Sequence, residues 1–116
     1  MSENIVKSKS FAFAVRTVNF YKILNERKEF ILSKQLLRSG TSVGANVKEA
    51  INGQSKADFI HKLSISQKEC DESIYWLELL KATNYINEKE FNSMYDDAVE
   101  LLKIIRSIII TTKGKL

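Results

Sequence analysis

Residues 56–83 read KADFIHKLSISQKECDESIYWLELLKAT, and this stretch decides the fold. Phe59, Leu63, Ser66, Cys70, Ser73, Leu77 and Leu80 follow one another at steps of four, three, four, three, four and three. That seven-residue repeat puts all of them on one face of a helix. A second stripe of Ile65, Glu72, Trp76 and Leu79 runs beside it. Ser55 stands at the N-cap position, and Asp58 three residues on complements the positive end of the helix dipole. A helix over 56–83 is about 42 Å long. Its seam needs partner helices to cover it.

The flanking sequence supplies them. Downstream, Asn87 and Glu90 have the spacing of a cap with its glutamate partner. Phe91, Met94, Ala98, Leu101, Ile105, Ile108 and Thr112 then form the seam of a helix over 88–112, flanked by Ile104 and Ile109. Upstream, Leu36, Leu37, Gly40, Val43, Gly44, Val47, Ala50 and Ile51 make the inward stripe of a helix over 30–51. Gly53 suits a left-handed residue that closes it. Further out, residues 10–24 form a helix whose inward face is read as Phe11, Ala14, Val15, Val18 and Tyr21, and the polar residues 25–28 make a turn. The 116 residues hold no proline, so helices can run long. No useful length alternates with a strand period. The expected fold is all-α, an up-and-down antiparallel four-helix bundle with residues 1–116 as a single domain.

Composition excludes several classes. At 44% apolar and 28% charged, the chain is neither a disordered tail nor a membrane protein. The most apolar run, 101–110, is interrupted by Lys103, Arg106 and Ser107, far short of the roughly 20 residues of a membrane span. A single cysteine, Cys70, excludes an internal disulfide and fits a reducing compartment. With no long apolar run at the N-terminus, a cytoplasmic location is expected. His61 is the only histidine, and Asp58 and Lys62 are its neighbours, a poor metal site. Cys70 lies nine residues on along the same helix, about 13–14 Å away, too far for a catalytic pair. The spacing of helical ribonucleases, Arg four to six residues before His, is absent, since Ser55, Lys56 and Ala57 occupy those positions. Glycine-rich phosphate loops and paired catalytic carboxylates are missing too. No enzyme activity, cofactor or metal is expected, and Cys70 reads as a small apolar side chain.

Charge is uneven. Residues 1–68 hold 12 basic and 5 acidic side chains, net +7, and residues 69–116 hold 6 and 9, net −3. A basic region attracts nucleic acid or acidic partners, although lysines also simply solvate helix faces. Helical spacing sets Lys34, Arg38 and Ala45 opposite the stripe of Leu36, Gly40, Val43 and Val47, with Lys48 at its edge. Lys34, Arg38, Lys48 and Lys56 are therefore the candidate phosphate contacts. Gly40 and Gly44, four apart on one face, let another backbone approach. Ser39, Ser42 and Asn46 are suited to hydrogen-bond neighbouring helices or subunits, and Asn46 with Glu49 is the one pocket the residues suggest. Tyr75 and Trp76 are adjacent, so one of them leaves the seam and is available to a subunit interface. Apolar flanks on the last two helices are wider than a lone bundle needs, which points to self-association.

Two blocks carry a family resemblance: RSGTSVGANVKEA at 38–50, and QSKADFIHKLSIS at 54–66 followed by Lys68, Glu69, Tyr75, Trp76 and Leu77. They resemble the bacterial four-helix bundle family that includes proteins encoded in intervening sequences of 23S rRNA genes, with accessory proteins of diversity-generating retroelements as relatives. The resemblance implies a four-helix bundle, assembly as a ring (pentamers occur among relatives), no established enzymatic activity, and association with RNA or DNA. The alternative is a scaffold that recruits a protein partner such as a reverse transcriptase, for which an apolar or acidic docking face on the last helix, around Asp96, Asp97 and Glu100, is expected.

Overall fold

The computed structural model describes residues 2–114; Met1, Lys115 and Leu116, the ends of the expected single domain, lie outside the described residues. Four helices follow in order, α1 (Ser2–Glu26), α2 (Leu32–Ile51), α3 (Lys56–Ala82) and α4 (Glu88–Gly114), and among the described residues there is no strand. Short turns join them, so each helix runs antiparallel to the next. α2 packs on α1 and α3, α3 on α4, and α4 closes more thinly on α1, while the diagonal pairs do not meet. This is the up-and-down four-helix bundle, measuring 47 × 20 × 19 Å.

The local signals of α3 and α4 operate as their chemistry dictates. Ser55 Oγ accepts the Asp58 N–H at 3.0 Å. At the start of α4, Asn87 Oδ1 accepts the Glu90 N–H at 2.8 Å while Glu90 Oε1 accepts the Asn87 N–H at 2.9 Å, a reciprocal capping box. The α3 seam is buried from Leu63 through Leu80, with Phe59 half-buried at its start. On α4 the buried seam runs through Phe91, Met94, Ala98, Leu101 and Ile105 and then passes to Ile109, leaving Ile108 and Thr112 at the margin. A straight helix of 3.6 residues per turn drifts away from a strict seven-residue repeat, so the inward position moves by one over two heptads.

The start of α2 is capped from outside the helix. Glu29 is buried, and its carboxylate accepts the N–H groups of Ser33 (2.6 Å), Leu32 (3.1 Å) and Ile31 (3.3 Å), while its carbonyl accepts the Ser33 hydroxyl at 2.8 Å. One side chain thus satisfies donors that a helix start leaves orphaned. Left-handed residues close α1 and α3, Lys28 at φ 64° and Asn84 at φ 67°. Gly53 does not play that part: none of the described glycines has positive φ. Its missing Cβ matters differently, since a Cβ there would lie 2.6 Å from Asp58 Oδ2.

The largest departure from the sequence reading concerns α1. The helix begins at Ser2, two turns before the expected residue 10, and its buried face is Val6, Ser10, Phe13, Thr17, Phe20 and Leu24. Phe11, Val15 and Val18, read as its inward face, are instead 69%, 45% and 37% exposed. The reason lies across the interface, in α2. A Cβ on Gly40 would lie 2.6 Å from both Thr17 Oγ1 and Thr17 Cγ2, and a Cβ on Gly44 would lie 3.1 Å from the Ser10 carbonyl oxygen. The two backbones approach closely there, with no room for a Phe between them, and Ser10 and Thr17 stand at the points of approach opposite the two glycines. Their polarity is met within the helix, Thr17 donating to Phe13 O at 2.8 Å and Ser10 to Lys7 O at 3.1 Å.

Candidate nucleic-acid interface

Packing turns the uneven charge of the sequence into uneven layers. α1 and α2 lie side by side, and residues 2–51 carry nine basic against four acidic side chains; residues 56–114, forming α3 and α4, carry eight against ten. Helix ends and turns then decide which cations remain available. Lys9 pairs with Glu100 at 2.9 Å and Arg16 with Asp97, tying α1 to α4, the thinnest of the helix packings, and Arg27 in the turn after α1 pairs with Glu90 at 2.6 Å. Lys62 pairs with Glu49 at 3.0 Å.

The four candidate phosphate contacts do not form one cluster. Lys34 and Lys48 are both exposed and make no ion pair among the described residues. They lie fourteen positions apart on α2, about 21 Å along its axis. Lys56 is exposed in the first turn of α3, at the Lys48 end of the bundle. Arg38 is engaged within the chain: its Nη1 donates to Glu69 Oε1 at 3.1 Å and its Nη2 to Glu72 Oε1 at 2.7 Å. The hydrogen bond to Glu72 is the main reason its guanidinium holds its proton more firmly than a free arginine.

Around the α1–α2 turn a different group assembles. Lys22, Lys28 and Lys34 are exposed there, and none is in an ion pair among the described residues. Phe30, between Lys28 and Lys34 in the chain, is 53% exposed, and Ile31 beside it is 75% exposed. Exposed aromatic rings interleaved with cations are the elements of single-stranded nucleic-acid binding, in which rings stack on bases and ammonium groups meet phosphates. The sequence reading passed over Phe30 because it counted that residue into the start of α2. Glu29, three residues before Leu32, carried the signal, since an acid there caps a helix that begins after Ile31.

The remaining singled-out residues have structural surroundings. Gly40 and Gly44 admit α1, as above. Ser39 Oγ lies 2.9 Å from Ser73 Oγ, and Ser66 donates to Val43 O at 2.8 Å, so small hydroxyl residues bring α2 and α3 together. Asn46 Nδ2 donates to Ser42 O of its own helix at 2.9 Å. Tyr75 is 55% exposed and meets Trp76 edge to face, with ring centres 5.0 Å apart. Trp76 packs on the core, and its buried Nε1–H has no acceptor among the described residues. Cys70 donates to Ala98 O at 3.3 Å, and burial pushes its thiol up to about 12. No group of three or more His, Cys, Asp or Glu able to hold a metal occurs among the described residues, and no helix is long and apolar enough to cross a membrane.

Fold and surface define a small antiparallel four-helix bundle with a basic α1–α2 layer and a glycine-dependent α1–α2 seam. The chain belongs to the 23S rRNA-intervening sequence protein family, whose model matches residues 2–107. It is also similar to a protein of unknown function from the S23 ribosomal protein family of Bacteroides thetaiotaomicron VPI-5482, known from a crystal structure. That structure superposes with a TM-score of 0.92 at 56% sequence identity, covering 94% of this chain and 98% of that one. A comparison with curated proteins found no match.

Proposed function

We propose that this protein is a non-enzymatic, homo-oligomeric four-helix bundle that associates with RNA through its α1–α2 layer. The observation that carries the reading is the trio of exposed lysines, Lys22, Lys28 and Lys34, in no ion pair among the described residues, around the turn that also exposes Phe30. Self-association concentrates these groups, because each added subunit contributes another set of phosphate contacts and releases more counterions. Arg38, bound to Glu69 and Glu72, contributes less than the sequence reading assigned to it. Lys48 and Lys56, at the other end, are a separate point of contact.

The test is RNA binding by the double variant Lys28→Glu, Lys34→Glu at two salt concentrations. Binding should weaken for every RNA sequence tried, and the salt dependence should flatten by about one unit of slope per lysine lost. Helical circular dichroism should not change, since both positions are exposed. Affinity equal to the unaltered protein at low salt overturns the assignment.

A second reading, a scaffold that recruits a nucleic-acid-processing protein, is favoured by the exposed apolar row on α1. The acidic docking face expected on α4 does not favour it, because Asp97 and Glu100 are held by Arg16 and Lys9 and only Asp96 remains unengaged. Recovery of a stoichiometric protein partner in place of RNA from the native host would move the assignment to this reading.

A further inference from the structure

We propose that the cleft between the two turns at the Phe30 end of the bundle holds an unpaired nucleobase, so that the RNA bound there is single-stranded. The inference rests on the RNA reading above and names the form of RNA that the site selects. In an up-and-down bundle the α1–α2 turn (27–31) and the α3–α4 turn (83–87) share one end, and Arg27 ties them together. Its Nη1 donates to the Tyr85 carbonyl at 2.8 Å and to Glu90 Oε1 at 3.0 Å, and its Nη2 donates to Glu90 Oε2 at 2.6 Å. Between the turns opens a cleft of about 390 Å³, lined by Arg27, Asn84, Tyr85, Asn87 and Glu90, with the buried Ile86 as its apolar member.

The lining suits a base better than a phosphate. The charge of Arg27 is already met by Glu90, whose carboxylate repels a second anion. Edge contacts fix the guanidinium plane, and a base stacks on the face of such a plane rather than on its edge. Tyr85, 37% exposed, adds an aromatic face. The Asn84 side chain is exposed and makes no hydrogen bond among the described residues, and Asn87 uses only its Oδ1, so both amides have groups left for the edge of a base. Phosphates are met around the cleft. Lys22, Lys28, Lys34 and, in the first turn of α4, Lys89 are exposed at this end and in no ion pair among the described residues. Glu88 lies 3.8 Å from Lys81, which leaves Glu26 and Glu78 as the exposed carboxylates opposing them. Phe30 offers a second ring, and with a bundle cross-section of 20 × 19 Å both rings lie within reach of one short strand. In a duplex each base is stacked on its neighbours and paired at its edge, so a cleft that takes a base by face and edge turns the duplex away and leaves it only the lysines.

Fluorescence anisotropy at low salt, on a mixed-sequence RNA strand alone and annealed to its complement, tests this. The strand should bind about tenfold more tightly than the duplex. Tyr85→Ala and Phe30→Ala should each weaken strand binding about tenfold and leave the weaker duplex binding as it was, while Tyr85→Phe, which keeps the ring, should match the unaltered protein. Helical circular dichroism is the folding control. A strand of the same length built from abasic ribose-phosphate units requires no variant, and it should bind no better than the duplex. Equal affinity for strand and duplex overturns the cleft assignment while leaving the RNA reading standing, as does an abasic strand that binds like the complete one or a folded Tyr85→Ala that loses nothing. An unaltered protein that binds neither form of RNA overturns the RNA reading itself.

Discussion

At Gly40 a single hydrogen atom in place of a methyl group sets the distance between two helices. Gly40→Ala would press a Cβ onto buried Thr17, and overpacking of this kind costs about 1–3 kcal/mol. The midpoint of denaturant unfolding should fall accordingly, and Thr17→Ala in the same chain should restore part of the loss by vacating the space. Cys70 offers a second test. Its buried thiol, pushed up to about 12 chiefly by desolvation, stays protonated across the neutral range and should resist a thiol reagent at pH 8 until the chain unfolds. Because the folded value is raised, the neutral thiol costs nothing below pH 9. Above it the unfolded thiol ionises first, and stability declines between about pH 9 and 12.

The helices of this protein depend on caps of different construction, and two of them are open to mutation. Glu29→Ala would strip three backbone N–H groups at the start of α2 of their acceptor, at a cost of about 1–3 kcal/mol in a thermal melt. Glu90 closes the capping box of α4 and also binds Arg27 from the α1–α2 turn. The hydrogen bond from Arg27, followed by that from the Asn87 N–H, holds its carboxyl below the usual carboxylate value. A depressed value means that the stabilisation is present above the ordinary glutamate pKa and disappears as pH falls through the folded value. The stability difference between the unaltered protein and Glu90→Gln should therefore be widest near pH 7 and narrow as pH falls toward 3. A difference that does not depend on pH would mean that packing, not charge, accounts for the role of Glu90.

For the whole molecule, mass and charge go together. A ring or chain of subunits multiplies the net charge of +4, and polyanion binding should then fall steeply with salt. Light scattering with a mixed RNA pool should show mass gained at low salt and released at high salt. An assembly that takes up no RNA at either salt concentration would favour the protein-scaffold reading. Lys22, Lys28 and Lys34 lie at one end of the bundle, opposite to Lys7 and Lys48. Charge reversal around the α1–α2 turn should thus reduce RNA uptake without changing the mass of the protein alone.

Much of this was legible in the chain itself. The repeat from Leu63 to Leu80, the caps at Ser55 and Asn87 and the absence of proline are local properties, and local properties suffice to place helices and to make a bundle the way their seams are covered. The blocks at 38–50 and 54–66 identified the family for the same reason, being written in adjacent residues. The facing of α1 was not legible. That helix carries two apolar rows, Val6, Phe13, Phe20 and Leu24 on one side and Phe11, Val15 and Val18 on another, and hydrophobicity ranks them about equally. Packing against α2 chose between them: the row interleaved with Ser10 and Thr17 is the one that meets Gly40 and Gly44. Pairing of the cations was undecided in the same way: Arg38 looked as available as Lys34 until α3 brought Glu69 and Glu72 beside it. A helix is a property of neighbours along the chain, whereas its inward face and its free charges depend on residues distant in sequence that only packing brings near.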